Sequence, residues 1–196
     1  GRGTEYTLMD AIRAVHDTPG VERVRLGSLE PSTITPEFVE KLFKTEKFIP
    51  HLHLSLQSGS SRVLALMRRK YNADMAMKAI SLLREKILNV KFTTDVIVGF
   101  PGETDELFEE TYTFLRDVIK PAFIHIFPYS RRAGTPAAVR KDQVQDCVKT
   151  KRVQMLEDLC VKLHQEFIEA NKGVSEKVLF ESTDRKGMME GYTGNY

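Results

Sequence analysis

Strand-like and helical runs alternate along the first two-thirds of this chain, and that alternation limits the fold more than any other feature. Strand-type stretches begin near residues 21, 52, 92 and 122: Val21–Leu26, Leu52–Leu56, Phe92–Val98 and Ala122–Phe127. Between them apolar residues recur at helical spacing, with Phe38, Val39, Leu42 and Phe43 after Thr35-Pro36, and Met75, Ala79, Leu82 and Leu83 after Asn72. A shorter helix is expected from Ser58-Gly59-Ser60 to Met67, and a longer one over Thr104–Ile119. A helix between successive strands implies parallel pairing in one sheet. Phe92–Val98 reads as buried on both faces.

Four strands do not close a barrel, so the expected architecture is α/β, either an open sheet or a partial parallel barrel. A helical stripe of Leu8, Ile12 and Val15 within Thr4–Val15 precedes the first strand. In a βα series a helix follows a strand, which points to an N-terminal portion outside this sequence. Arg140–Asn171 reads as one long helix, closed by Gly173. Lys177–Phe180 then reads as a strand, and residues 174–196 as the first hairpin of a small β module.

With 196 residues, 41% of them hydrophobic, the chain suits one sizeable core. No apolar run approaches the roughly 20 residues of a membrane span, and no signal peptide precedes the first helix. A net charge of +2 neither demands nor excludes a nucleic-acid partner. Basic residues cluster at Arg68-Arg69-Lys70, Arg131-Arg132, Arg140-Lys141 and Lys149–Arg152. Cys147 and Cys160 lie thirteen residues apart on one expected helix, roughly 20 Å from each other. They cannot bridge or share a metal, and a reducing, cytoplasmic setting is the simplest expectation. The opening Gly rather than Met suggests a trimmed piece.

Parallel α/β sheets bind ligands at the carboxyl ends of their strands. There the chain places Gly27–Pro31, Gln57–Ser60, Gly99–Glu103 and Pro128–Pro136, all rich in glycine and small polar residues. Glycine lets a backbone approach a ligand closely, so four such loops at one rim favour a binding site over ordinary turns. In DVIVGFPGET the glycines are expected to clear space beside a ligand, with Glu103 a helix-start carboxylate or a ligand contact. His51 and His53 form an H-x-H pair on one strand face, a pattern some barrel hydrolases use for metal. They stand at the wrong end of the strand, His125 could join them only with difficulty, and packed histidines are the preferred reading. His16 and His164 are read as surface residues. No phosphate-loop, G-x-S-x-G or C-x-x-x-C-x-x-C motif is present.

LHLSLQSGSSRVLALMRRKY, TDVIVGFPGET and HIFPYSRRAGTPAA resemble, in order and spacing, the radical SAM methylthiotransferases. RVRLGSLEP, with LSLQSGS and MRRKY, is most similar to the branch acting on N6-threonylcarbamoyladenosine in tRNA. The isopentenyladenosine and ribosomal-protein branches are its nearest relatives. The resemblance implies that residues 1–173 are the last four strands of a six-stranded barrel, and that 174–196 begin a TRAM-like RNA-binding domain. It implies addition of a methylthio group to C2 of an adenosine beside the anticodon, using S-adenosyl-L-methionine and two 4Fe–4S clusters whose ligands lie outside this chain. Without them this chain is expected to be inactive, and Cys147 and Cys160 are read as too far from the rim to substitute. A metallohydrolase built on His51 and His53 is the distant alternative.

The resemblance also implies site residues. Gln57 and Ser58 end the strand whose tip meets the cofactor ribose. Ile97 and Gly99 fall in the strand flanking adenine, within a motif G-x-I-x-G-x-x-E. Here Asp95 replaces its first glycine and the glutamate arrives one residue late, at Glu103. Phe127, Tyr129 and Ser130 sit at the last strand, beside adenine. Arg69 is a candidate for the cofactor carboxylate or for phosphate, and Arg68, Arg131 and Arg132 are candidates for tRNA.

Overall fold

Helix α1 (Leu8–Asp17) opens with a capping box in which Thr7 Oγ1 accepts from the Asp10 N–H and the Asp10 carboxylate accepts from the Thr7 N–H. The computed structural model describes residues 5–195, so the expected start of this helix at Thr4 lies outside the described residues. Then follow β1 (Val24–Leu29), a 3-10 turn, α2 (Pro36–Phe43), β2 (Phe48–Gln57), α3 (Ser61–Leu66) and α4 (Ala73–Lys86). After these come β3 (Lys91–Val98), α5 (Asp105–Thr113), β4 (Phe123–Pro128), α6 (Asp146–Asn171), β5 (Leu179–Thr183) and β6 (Met189–Tyr192). Thr35, Asn72 and Thr104 cap α2, α4 and α5 through their side-chain oxygens.

Strands β1 to β4 pair in parallel and in chain order, as in one wall of a (βα) barrel. Alternation sorts their side chains. Leu52, Leu54, Leu56, Phe92, Val96, Val98 and Ile124 join the helices in one apolar core. The opposite face is polar, with His51, His53 and Gln57 on β2, and Thr93 and Asp95 on β3. Asp95 and Ile97 are only half-buried, so β3 is not buried along both faces as its apolar content suggested.

Two helical expectations need correction. The run to Ile119 does not stay α-helical: Phe114–Ile119 widens into π-helix, Lys120 N–H reaches back to Leu115 O, and Lys120 turns left-handed. The carbonyls of Val118 and Ile119 are taken by the Arg84 guanidinium. The long helix begins at Asp146 rather than Arg140, because the Asp142 carbonyl accepts from Gly102 N–H and Gln143 Nε2 donates to the Ala137 and Arg140 carbonyls. Its lower half covers the outer edge of β4, where Cys160 Sγ accepts from Ile124 N–H and His164 Nδ1 lies 3.0 Å from Ala122 O. His164 is thereby partly buried rather than on the surface.

The β5–β6 hairpin is antiparallel and exposed. It docks near the start of β1, where Arg23 donates to the Lys177 and Tyr192 carbonyls and Arg25 lies over the Tyr192 ring. That is the end of the sheet opposite the loops at the strand tips.

The loop after β2 packs on α5 without spare room. Gly59 N–H donates to Thr111 Oγ1, which also bonds Ser58 Oγ, and a Cβ on Gly59 would stand 2.6 Å from Phe114 Cβ and 2.9 Å from Thr111 Cα. Gly59→Ala is therefore expected to lower the unfolding free energy by about 1–3 kcal/mol; a urea-denaturation midpoint equal to the parent's would refute this. His51 is buried, and burial, aided by Arg25 and His53, pushes its pKa down to about 4. Between pH 6.5 and about 4 the unfolded chain then takes up a proton that the native chain refuses. Stability should fall over that window by about 2–3 kcal/mol more in the parent than in His51→Gln, as read from melts at stepped pH.

Candidate functional site

The tips of β2, β3 and β4 enclose a cavity of about 520 Å³, with Gln57, Asp95, Ile97, Phe100, Phe127, Tyr129, Ser130 and Arg132 in its wall. Gln57 adopts a left-handed backbone, φ +68°, rare outside glycine, and this turns the chain sharply at the strand end. Tyr71 Oη supports that tip by donating to the Ser55 and Leu56 carbonyls. Tyr129 is fixed by its N–H to Val98 O at 2.8 Å and by an edge-on contact with Phe100 at 5.2 Å. Its hydroxyl is buried without a hydrogen-bond partner among the described residues. Phe127 is half-exposed and offers an aromatic surface.

Behind this wall, Glu103 closes the turn after β3. Its Oε2 accepts from Gly99 N–H at 2.6 Å and from Arg152 Nη1 at 2.6 Å, with the two side chains 1% and 5% exposed. Arg152 also donates to the Glu103 carbonyl and to Asp105. Burial pushes the Glu103 carboxyl up, against the Gly99 bond and the Arg152 charge that draw it down. The same guanidinium holds the exposed Asp105 below the usual carboxylate range. Glu103 thus points into the protein.

The site residues expected from sequence separate into groups. Gln57, Ile97, Phe127, Tyr129, Ser130 and Arg132 share the cavity. Ser58 is buried on Thr111, Gly99 backs onto the Lys149 side chain, and Glu103 meets Arg152. Arg69 pairs with Glu30 at 2.9 Å, Arg68 is exposed in a left-handed turn, and Arg131 donates to Gln143. The glycines make room for the protein itself, since a Cβ on Gly99 would meet Lys149 and one on Gly102 would meet Asp142, Arg140 and Leu66. Sequence reading missed Arg152, Lys149 and Phe100. Arg152 stood inside a basic cluster that looked like a solvated helix face.

His51 and His53 do share a strand face, but Thr93 Oγ1 stands between them, 2.9 Å from His53 Nδ1 and 3.2 Å from His51 Nε2. The group of potential ligands that does converge is His53, Asp95 and His125. His125 therefore joins His53 readily, through Asp95, its partner in the β3–β4 register.

The radical SAM superfamily model matches residues 4–115, more than half of the chain. The chain belongs to the radical SAM superfamily. The threonylcarbamoyladenosine tRNA methylthiotransferase of Bacillus subtilis is 42% identical over 181 residues, which cover 90% of this chain and 40% of that protein. The tRNA-2-methylthio-N(6)-dimethylallyladenosine synthase of Acetivibrio thermocellus is 37% identical over 185 residues, covering 94% of this chain and 38% of that protein. The chain thus spans about 40% of the length of these relatives. Coproporphyrinogen III oxidase from Escherichia coli, described as a radical SAM enzyme, superposes with a TM-score of 0.59 at 18% identity, over 80% of this chain and 36% of its own. That likeness bears on the fold.

Two cofactor types follow from the superfamily, and the residues present suit only one. The cavity's half-exposed Phe127, the unpartnered Tyr129 hydroxyl and the turned Gln57 tip suit the adenosine part of S-adenosylmethionine. Among the described residues no set of cysteines comes together to hold an iron–sulfur cluster. Cys160 is buried against β4, and Cys147 is a single exposed thiol. Cys147 stands two residues before the Lys149 that packs on Gly99.

Removing one partner of the buried pair strands the other. Arg152→Met should cost about 3–5 kcal/mol of unfolding free energy, and adding Glu103→Leu should recover part of it. Chemical denaturation of both variants tests this; an Arg152→Met value within error of the parent would refute the latch.

Proposed function

We propose that this chain is the later part of the catalytic barrel of a tRNA methylthiotransferase that adds a methylthio group to C2 of N6-threonylcarbamoyladenosine beside the anticodon. The observation that carries the reading is the 42% identity, along 90% of the chain, to a threonylcarbamoyladenosine tRNA methylthiotransferase. The cavity at the strand tips supports it. S-adenosylmethionine and two 4Fe–4S clusters ligated outside this chain supply the radical and the sulfur-transfer chemistry when bound. This chain's own part is binding: Gln57 shapes the ribose end, with Ser58 packed behind it on Thr111, while Ile97, Phe127 and the Tyr129–Ser130 backbone wall the adenine. Arg131 and Arg132, both exposed beside the cavity, meet tRNA phosphate, where each contact adds salt dependence rather than sequence reading. Residues 174–196 begin a TRAM-like RNA-binding module. Among the described residues no helix is long and apolar enough to cross a membrane, and the reading puts the enzyme in the cytoplasm with its substrate.

The test is genetic and chemical. The complete reading frame containing this chain is expressed in a host lacking the 2-methylthio modification of threonylcarbamoyladenosine, and digested tRNA is analysed by mass spectrometry. The expected result is 2-methylthio-N6-threonylcarbamoyladenosine, reduced several-fold by Arg131→Ala/Arg132→Ala. Methylthiolation of isopentenyladenosine alone would replace the reading with the related branch, and neither product would overturn it.

A further inference from the structure

Three neighbouring parallel strands, β2, β3 and β4, each present one metal-competent side chain on the polar face of the sheet. Asp95 pairs in register with His125, and His53 with Thr93, so His53 stands one same-face step before Asp95 and His125, with the two imidazole rings 5.4 Å apart between centroids. One ligand atom from each falls within 4.8 Å of the others, and His53 Nε2 is 3.1 Å from Asp95 Oδ2. We propose that His53, Asp95 and His125 form a site for a first-row divalent transition ion such as Zn²⁺ at the base of the strand-tip cavity.

The spacing suits such an ion. Metal–nitrogen and metal–oxygen bonds of about 2.0–2.2 Å in a tetrahedron put neighbouring ligand atoms about 3.3 Å apart. The His53–Asp95 separation of 3.1 Å already matches that edge. Two imidazoles with one carboxylate favour zinc, iron or cobalt over magnesium or calcium, which take all-oxygen shells.

The surroundings also fit a ligand set. His53 Nδ1 lies 2.9 Å from Thr93 Oγ1, which leaves Nε2 directed at Asp95 and fixes the ring, the outer-shell arrangement typical of metal-bound histidine. The Thr93 hydroxyl is tied in turn to His51 Nε2 at 3.2 Å. The His125 ring is held edge-on by Phe123, at 4.9 Å between centroids. Asp95 is shared with the cavity wall, so a fourth position opens toward whatever occupies that cavity. The site stands on these contacts alone and is independent of the methylthiotransferase reading.

Calorimetric titration of Zn²⁺ into the chelator-stripped 196-residue chain tests the proposal. The expected result is one equivalent bound, with affinity reduced at least tenfold by His125→Gln and by Asp95→Asn. Thr93→Val should weaken binding about 10–100-fold through loss of the outer-shell bond, while His16→Ala leaves it unchanged. Circular dichroism establishes that each variant is folded, and Co²⁺ substitution gives a visible band that should vanish in His53→Gln/His125→Gln. Zinc stoichiometry that survives that double variant, or a folded parent chain that binds no zinc, would overturn the site.

Discussion

A carboxylate with almost no solvent contact holds the edge of this sheet in shape. Glu103 accepts one hydrogen bond from the Gly99 amide and one from Arg152. It thereby ties the end of β3, the start of α5 and the first turns of α6 to one point. Burying such a pair is costly, because both ions leave water, and its attraction offsets that cost only when the remaining hydrogen-bonding positions are filled. Here the Glu103 carbonyl and Asp105 take further Arg152 donors, while Arg152 Nε is buried without a hydrogen-bond partner among the described residues. Apolar residues could hold the same elements with less desolvation. What the ion pair adds is direction: it fixes which way the Gly99–Gly102 turn runs, and so where Phe100 stands beside Tyr129.

That placement matters because the cavity wall is assembled from backbones and aromatic rings rather than from charged clamps. Phe100 braces Tyr129, Tyr129 hangs from Val98 O, and Phe127 is left with an open face. Aromatic surface binds a flat, apolar-faced ligand without choosing among its edges. Selectivity then falls to nearby polar groups, the Tyr129 hydroxyl and the polar face of the sheet below it. On the proposed reading, shape holds the cofactor, and the lower polar face is free to vary with the reaction.

Much of this was legible in the sequence, and the failures share one cause. The β/α order, the parallel sheet and the strand-tip location follow from local periodicity and from the way parallel strands connect. Gln57, Ile97, Phe127 and Tyr129 were expected together because each sits at or near a strand end, and all four line the cavity. Arg152 was hidden because its partner, Glu103, lies 49 residues earlier, and a buried guanidinium looks like any other basic residue on a helix. His125 was expected to join the pair only with difficulty because it sits mid-strand, whereas register places it directly beside Asp95. The start of α6 was set too early because Val144 fits the helical period, while the Asp142 carbonyl is spent on Gly102 instead. Periodicity reports which face is apolar; it is silent on which polar groups find each other across elements.

The glycines carry the same lesson in a sharper form. Read from sequence, Gly59, Gly99 and Gly102 look like clearances for a ligand. In three dimensions their missing Cβ positions are filled by Phe114, by Lys149, and by the Arg140–Asp142 segment with Leu66. Gly99 and Gly102 also need the left-handed backbone, at φ +73° and +87°. These turns are therefore close-packed supports whose shape is set from behind. A substitution there acts on the cavity only by shifting Phe100, Tyr129 or Gln57. The chain can thus keep its cavity-facing surface made of ring faces and main chain, because the tight turns that aim this surface are locked from the side facing away from the cavity.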